Sequence, residues 1–572
     1  MNHLKGKFVN MSSAQLLVEN LLERIELDSA TGKFRLGTIS NLEKLALETL
    51  LKATATTSID NEHREILVGV PIKPMSAQDA VAAEEGSDVL RSIGLQQTDV
   101  HVTLDLRALE RTQAECPELT VCLDFGTAMS KAFAIHGYST PVELALGKRA
   151  GSSGYPVDSS LFISDDGILH FGPQAVELGI AAAALGRARF DSPKARLSMG
   201  EQVDIHRAAI GKEFNPTDVP MTEGEMITLY LGYLTDLATS ELEAQGYSRY
   251  CARRFARPCW PEDRNRWAEP LLRRMLAQAQ VLADTFHDQW LDGIPLSEVK
   301  QAMEKLRELA VLPDYLVGEG IPEPVAAAAS LMLTDEAQRE LFLVIDVGAG
   351  TTDFGLFLLQ HNPDKDICLV RIVPETIMYL PQAGNRVDDL LKFFVLELEG
   401  IDVASPEGEH NRTFLQSTIR LHKEALFRDG IVEVPLANQS RVVVDREAFL
   451  ASSRVKAFSQ LLQDNVALAM KPVGDGFLDL MSDGQLNVVL TGGGAELPMI
   501  QSLAKGVIEV RGRSIMRRPA PHVPAWITEQ YPQFSPQYPQ LAVAIGGANP
   551  ELPGIGESIV DFKGLRSPTY TA

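Results

Sequence analysis

Three glycine-rich turns carry the residue types best suited to chemistry. The first is Asp124-Phe125-Gly126-Thr127-Ala128-Met129-Ser130. Gly126 permits close backbone approach and unusual dihedrals. The N–H groups around Gly126, Thr127 and Ala128, with the Thr127 hydroxyl, can hold an anionic oxygen. Asp124 cannot favour a phosphate directly, because like charges repel. It makes sense if a cation stands between them, as in a Mg²⁺ water shell. A hairpin turn with an ordinary strand-end aspartate explains this motif alone equally well. The second turn, Asp346-Val347-Gly348-Ala349-Gly350-Thr351-Thr352-Asp353, has the same logic with more glycine and two carboxylates. Asp346 and Asp353 flank the loop and could both face a metal's water shell. Finding an Asp-x-Gly turn twice favours function over coincidence. The third, Thr491-Gly492-Gly493-Gly494-Ala495-Glu496-Leu497-Pro498, follows an apolar run and places Pro498 where a helix would start. Its three glycines remove side chains where a flat ring or a sugar could lie. A tight strand-to-helix turn would look the same.

The segments around these turns must position them. LTVCLDFGTAMSKAFAI reads as strand, turn, strand, and LFLVIDVGAGTTDFGLFLL repeats that design more than two hundred residues later. Two copies suggest an internally duplicated fold. LNVVLTGGGAELPMIQSLAKGV reads as strand, glycine turn, helix. Residues 262–310 form a charged helical stretch. The first 116 residues differ in character. Residues 13–26 and 40–51 read as short helices, the second with a Ser40/Glu43 capping box. An Ala-, Asp- and Glu-rich linker spans 74–98, and alternation from Val100 to Arg107 predicts a half-buried strand. This extension is either a partner-docking module or a cap on the main body.

The chain has 572 residues with 45% hydrophobic and 23% charged, enough to bury a sizeable core. Its net charge of −23 argues against wrapping nucleic acid, whose phosphates need a basic surface. A nucleotide pocket needs only a few cations and one metal. Five cysteines (Cys116, Cys122, Cys251, Cys259, Cys368) form no CxxC pair, so a zinc ribbon or redox dithiol is not expected. They read as reduced structural thiols. No P-loop, HExxH or GxSxG occurs. Neither a signal peptide nor an apolar run of membrane-spanning length is visible. The expectation is a cytoplasmic chain without a membrane span.

Taken in order, the three turns resemble the phosphate-1, phosphate-2 and adenosine motifs of the actin-like ATPase superfamily of actins, sugar kinases and 70-kDa heat-shock chaperones. Further segments look like the chaperone branch. Residues 321–328 (IPEPVAAA) resemble its first interlobe connection, and 541–548 (LAVAIGGA) its second connecting helix. Residues 190–197 (FDSPKARL) look like the stretch holding its catalytic lysine. The resemblance spans roughly residues 117–548. It implies an α/β, two-lobed, duplicated actin-like (ribonuclease H-like) fold with an N-terminal extension over 1–116. Lobe I would cover 117–340, with a helical insertion near 262–310. Lobe II and the return helix would cover 341–548, and 549–572 would be a short tail.

The resemblance also implies residue roles, with ATP or ADP and Mg²⁺ as ligands. Asp124 and Asp346 would position the metal's waters. Gly126, Thr127, Ala128, Gly348, Ala349, Gly350, Thr351 and Thr352 would line the phosphates. Asp353 would support the metal or the attacking water, and Glu323 would orient the machinery from a hinge strand. Lys194, with Arg196 as its rival, would stabilise charge on the γ-phosphoryl group. Lys423, Gly492, Gly493 and Gly494 would hold the adenosine. Three departures stand out: Arg420 where the family has a glutamate, Glu496 where the chaperones have an arginine, and Gln540 for an acidic residue. The chaperones carry a peptide-binding domain after these lobes, whereas only a short tail follows Asn549 here. The implied activity is slow ATP hydrolysis in a chaperone-like switch, with a protein partner at the extension or at 262–310. Alternatives within the superfamily are an actin-like filament former, a small-molecule kinase, and a scaffold that binds nucleotide without hydrolysis.

Overall fold

The computed structural model describes residues 25–28, 33–36, 101–137, 140–331, 338–362, 367–373, 375–479, 481, 484–521 and 523–552. The expected helix at 40–51 and the linker at 74–98 lie outside them, as does most of the expected helix at 13–26. Where that helix was expected to end, Ile25–Asp28 is instead a strand, paired antiparallel with Lys33–Leu36.

The chain is mixed α/β, and two sheets dominate it. The first is built from β1 (Leu119–Asp124), β2 (Met129–His136), β3 (Thr140–Leu144), the short β4 (Val157–Asp158), β5 (Arg253–Arg257) and β6 (Val317–Pro322). Its order is β6-β5-β1-β2-β3, with β4 also pairing β2. The second contains β7 (Gln338–Val347), β8 (Thr352–Asn362), β9 (Ile367–Ile372), β10 (Met378–Leu380), β11 (Gln485–Thr491), β12 (Gly506–Val510) and β13 (Arg513–Pro519). Its order is β9-β8-β7-β11-β13-β12, with β10 also pairing β8. Each sheet has the same local plan. A central strand ending in aspartate turns back into an antiparallel neighbour, and a parallel strand flanks its other side. The central strands read as continuous apolar runs because both faces are covered: Val121 to Leu123 and Leu343 to Ile345 are fully buried.

The helices that matter for the site are α1 (Pro193–Met199), α2 (Glu223–Ala244), α3 (Glu262–Thr285), α4 (Leu296–Glu308), α5 (Glu323–Ala329), α6 (Gly384–Leu398), α7 (Ile419–Asp429), α8 (Pro498–Gln501) and α9 (Tyr538–Gly547). The helical reading of 262–310 corresponds to α3 and α4. Helix α5 leaves the first sheet yet buries Val325 to Ala329 among Phe342, Val344 and Phe357 of the second. Helix α9 leaves the second sheet and packs Leu541, Ala542 and Ile545 on Cys122, Phe133 and Ile135 of the first. The two helices touch where they cross. A Cβ built on Gly546 would lie 1.7 Å from the Ala326 carbonyl oxygen, so only glycine fits. The alanine run 326–329 supplies equally small partners.

Two expectations need correction. Residues 101–106 are not a strand: they run without regular structure into a 3₁₀ turn at Arg107–Glu110. The Asp105 N–H instead donates to the Thr285 hydroxyl on α3, and Tyr315 donates to the Ala108 carbonyl. Glu323 is not in a hinge strand either. It opens α5, with Pro324 in the first turn, where its missing N–H costs nothing.

Candidate functional site

Between the two strand–turn–strand units lies a cleft of about 650 Å³. Asp124 ends β1 and Asp346 sits near the end of β7, so the sheet register brings both to the cleft floor. The cleft also takes in Gly126, Thr127 and Ala128, then Gly348, Ala349 and Thr351, then Gly492 to Gly494. Lys194, Glu323 and Lys423 complete it. Gly350, Thr352 and Asp353 do not line it. Gly350 instead abuts the first turn, where its Cβ position lies 3.1 Å from the Thr127 side chain. Thr352 is buried and donates to the Gln382 carbonyl at 2.8 Å. Asp353, directly opposite Asp346 in the β7–β8 pair, is fully buried, and its Oδ1 accepts the Cys259 N–H at 2.9 Å.

The turns are closed by their own backbones. A Cβ on Gly126 would lie 1.8 Å from the Met129 carbonyl oxygen, so no side chain fits there. The Gly126 N–H donates to Ser130 Oγ at 3.2 Å, and the Gly348 N–H to the Thr351 carbonyl at 3.0 Å. The leading glycines therefore shape the turns. In the third turn Gly492 adopts φ +86°, and a Cβ there would lie 2.3 Å from the Val347 carbonyl oxygen. The Gly494 N–H donates to that same carbonyl at 2.9 Å, tying the third turn to the second.

The electrostatics of the floor are tense. Burial, reinforced by Glu323, pushes Asp346 up to about 7, while a 2.8 Å hydrogen bond from Thr491 opposes the shift. Burial and Glu323 likewise push Asp353 up to about 8. Lys194 is buried on α1 and ion-paired with Glu323. Burial alone would lower it, but Glu323, Asp124 and Asp353 outweigh that and hold it charged. Its rival Arg196 points elsewhere, pairing with Glu223 at 3.1 Å. Lys423 on α7 bonds Asp388 at 2.8 Å and the Gly384 carbonyl at 3.2 Å, both on α6. Arg420 pairs with Glu424 and reaches Asp158 at 3.8 Å. Glu496 and Gln540 also border the cleft.

Three residues were missed in the sequence: Lys131, Ser159 and Tyr230. Lys131 on β2 lines the cleft and pairs with Asp124 at 3.1 Å. The hairpin register places them directly opposite, which the two-residue strand period could have revealed. Behind the first turn, Ser159 donates to the Gly126 carbonyl at 2.8 Å and bonds Ser130 Oγ at 3.0 Å. The Tyr230 hydroxyl on α2 lies 3.2 Å from Ser159 Oγ. No local motif signals this hydroxyl chain, because its members come from β2, the segment after β4, and α2.

Among the described residues no three His, Cys, Asp or Glu side chains converge as a direct metal-ligand set. The donor set instead fits a hydrated, oxygen-preferring divalent cation, held by Asp124 and Asp346 through its waters. Such a cation would relieve the crowding that drives Asp346 towards its neutral form. Among the described residues no helix is long and apolar enough to cross a membrane.

No family model matches the chain. It is 27% identical over 186 residues to proteins named "Chaperone protein HscA homolog" from two strains of Acidithiobacillus ferrooxidans. The match covers 32% of this chain and only 28% of those relatives' length.

Proposed function

We propose that this chain is an ATP-binding, slowly ATP-hydrolysing, chaperone-like switch with a two-lobed actin-like architecture. Lobe I would be residues 117–340 and lobe II with its return helix 341–548. The observation that carries this reading is the meeting of two Asp-x-Gly turns in one cleft, over Asp124, Asp346, Glu323 and Lys194. The distant likeness to a chaperone supports it. Crossed helices α5 and α9, each seated on the other sheet, suit a hinge between lobes that open and close.

Within this reading the residues divide the work as phosphoryl transfer requires, by positioning and electrostatics rather than covalent chemistry. Thr127 and Ala128, with Ala349 and Thr351, receive the phosphate oxygens. Lys131 and Lys194 supply positive charge beside them. Glu323 orients the attacking water, and Asp353, buried behind the second turn, supports that arrangement without touching the water. Mg²⁺ held by Asp124 and Asp346 would neutralise charge on the phosphates. Lys423, fixed by Asp388, faces the ribose, with Gly492 to Gly494 forming a flat wall for the base. A protein partner would read lobe closure through residues 1–116 or through α3 and α4.

A second reading, nucleotide bound without turnover, is favoured by one feature: Lys194 is already committed to Glu323. Mg²⁺-dependent ATP binding and turnover decide between them. Under the leading reading the wild type turns over slowly, Lys194→Ala binds but turns over less, and Asp346→Ala loses metal-dependent binding. Tight binding with no turnover in the wild type selects the second reading.

A further inference from the structure

Cys116 and Cys251 lie 135 positions apart in the sequence, and neither borders the cleft. The fold brings them together. Glu115 and Cys251 form an isolated parallel bridge, and the Glu115 N–H donates to the Tyr250 carbonyl at 3.0 Å. Cys116, next along, adopts a left-handed φ of +52°. Its thiol lies beside that of Cys251 and helps to raise it, while the Cys251 thiol donates to the Ser248 carbonyl at 3.0 Å. Bridged backbones lie about 5 Å apart, and disulfides need Cα separations of roughly 4.4–6.8 Å. Cys116, one residue past the bridged Glu115, is thus a backbone neighbour of Cys251.

We propose that Cys116 and Cys251 are a peroxide-responsive thiol pair that closes to a reversible disulfide. The Cys116 thiolate attacks one peroxide oxygen. The O–O bond breaks, hydroxide leaves and takes up a proton, and Cys116 becomes a sulfenic acid. Cys251 then gives up its proton and attacks that sulfur, the S–O bond breaks, and water departs. Two thiols and one hydrogen peroxide thus give one disulfide and two waters. Exposure assigns the roles. Cys116 reaches solvent and Cys251 is buried. Burial pushes Cys251 up to about 12, which suits a resolving thiol rather than the first attacker. Cys122 and Cys259 are buried, and burial pushes both thiols well up, so they do not compete. The bond would staple the segment entering β1 to the one entering β5 and close a loop long enough to stabilise the fold.

The test uses the full-length chain and needs no nucleotide, so it stands apart from the proposed function. Reduced protein is treated with hydrogen peroxide, alkylated, digested without reductant and mapped by mass spectrometry. The expected result is a Cys116–Cys251 cross-linked peptide that dithiothreitol reverses and Cys116→Ser abolishes. The wild-type melting temperature should also rise by a few degrees on oxidation, and that of Cys116→Ser should not. Recovery of both cysteines unlinked, or of Cys116 joined to another cysteine, overturns the proposal. If Cys116→Ser fails to fold, the wild-type peptide map decides alone.

Discussion

At the scale of single residues, the cleft combines charges that would not choose each other's company. Three carboxylates and two lysines share a floor where water is scarce, with Asp353 buried just behind it, and each group's state depends on its neighbours. Burial lowers Lys194, but Glu323, Asp124 and Asp353 raise it above its ordinary value. Lys194→Ala is expected to cut turnover by about 10²–10³-fold, in line with loss of one preorganised charge at a reacting centre, with nucleotide affinity nearly unchanged. Single-turnover kinetics beside equilibrium binding separate the two effects. Ser159 acts one step back, through the Gly126 carbonyl and Ser130. Ser159→Ala should weaken nucleotide binding by about 1 kcal/mol, the usual worth of one such bond. Ser159→Thr should restore it, and the melting temperature tracks any purely structural cost. The carboxylates, the glycines and Lys194 were legible because each sits in a short local pattern. Lys131 and Ser159 were not, because their roles exist only once strands pair across the turn.

At the scale of elements, the β7–β8 hairpin holds Asp346 and Asp353 face to face and out of water. Both are raised well above their ordinary range, so the folded chain keeps protons that the unfolded chain has released. That contribution is fully present below about pH 4 and is lost as pH rises through about 7 to 8. The nucleotide-free chain should therefore lose stability between about pH 5 and about pH 8, and Asp346→Asn should flatten that slope. Chemical denaturation across this range measures it. Metal–nucleotide binding favours the ionised forms, so its affinity should rise over the same window. Both hairpins and the glycine turn after β11 were legible from apolar runs broken by glycine. The segment at 101–106 was misread because its alternating pattern meets a helix face rather than a strand. Glu323 was misread because Pro324 permits a helix start as readily as an extended strand.

At the scale of the whole molecule, the crossing of α5 and α9 makes each sheet depend on a helix borrowed from the other half of the sequence. Motion about that crossing would change the cleft without dissolving either core. Among the described residues the strands at 25–28 and 33–36 pair with each other and join neither large sheet. Removing residues 1–98 is therefore expected to leave nucleotide binding largely intact, as isothermal titration of the truncated chain would report. A loss of folding would make the extension part of the core. Neither a partner nor an oligomeric state was legible in the sequence, because no recognition motif accompanies 1–116 or 262–310.

The central claim is that two facing aspartate–glycine turns grip a magnesium-bound triphosphate. Calorimetric titration of the full-length chain with ATP, with Mg²⁺ and with EDTA, tests it most directly, run beside Asp346→Ala. The account predicts saturable binding by the wild type that requires Mg²⁺ and is lost in the variant. A folded wild type that gives no heat with any magnesium nucleotide, or an Asp346→Ala chain that binds as well as the wild type, would contradict it.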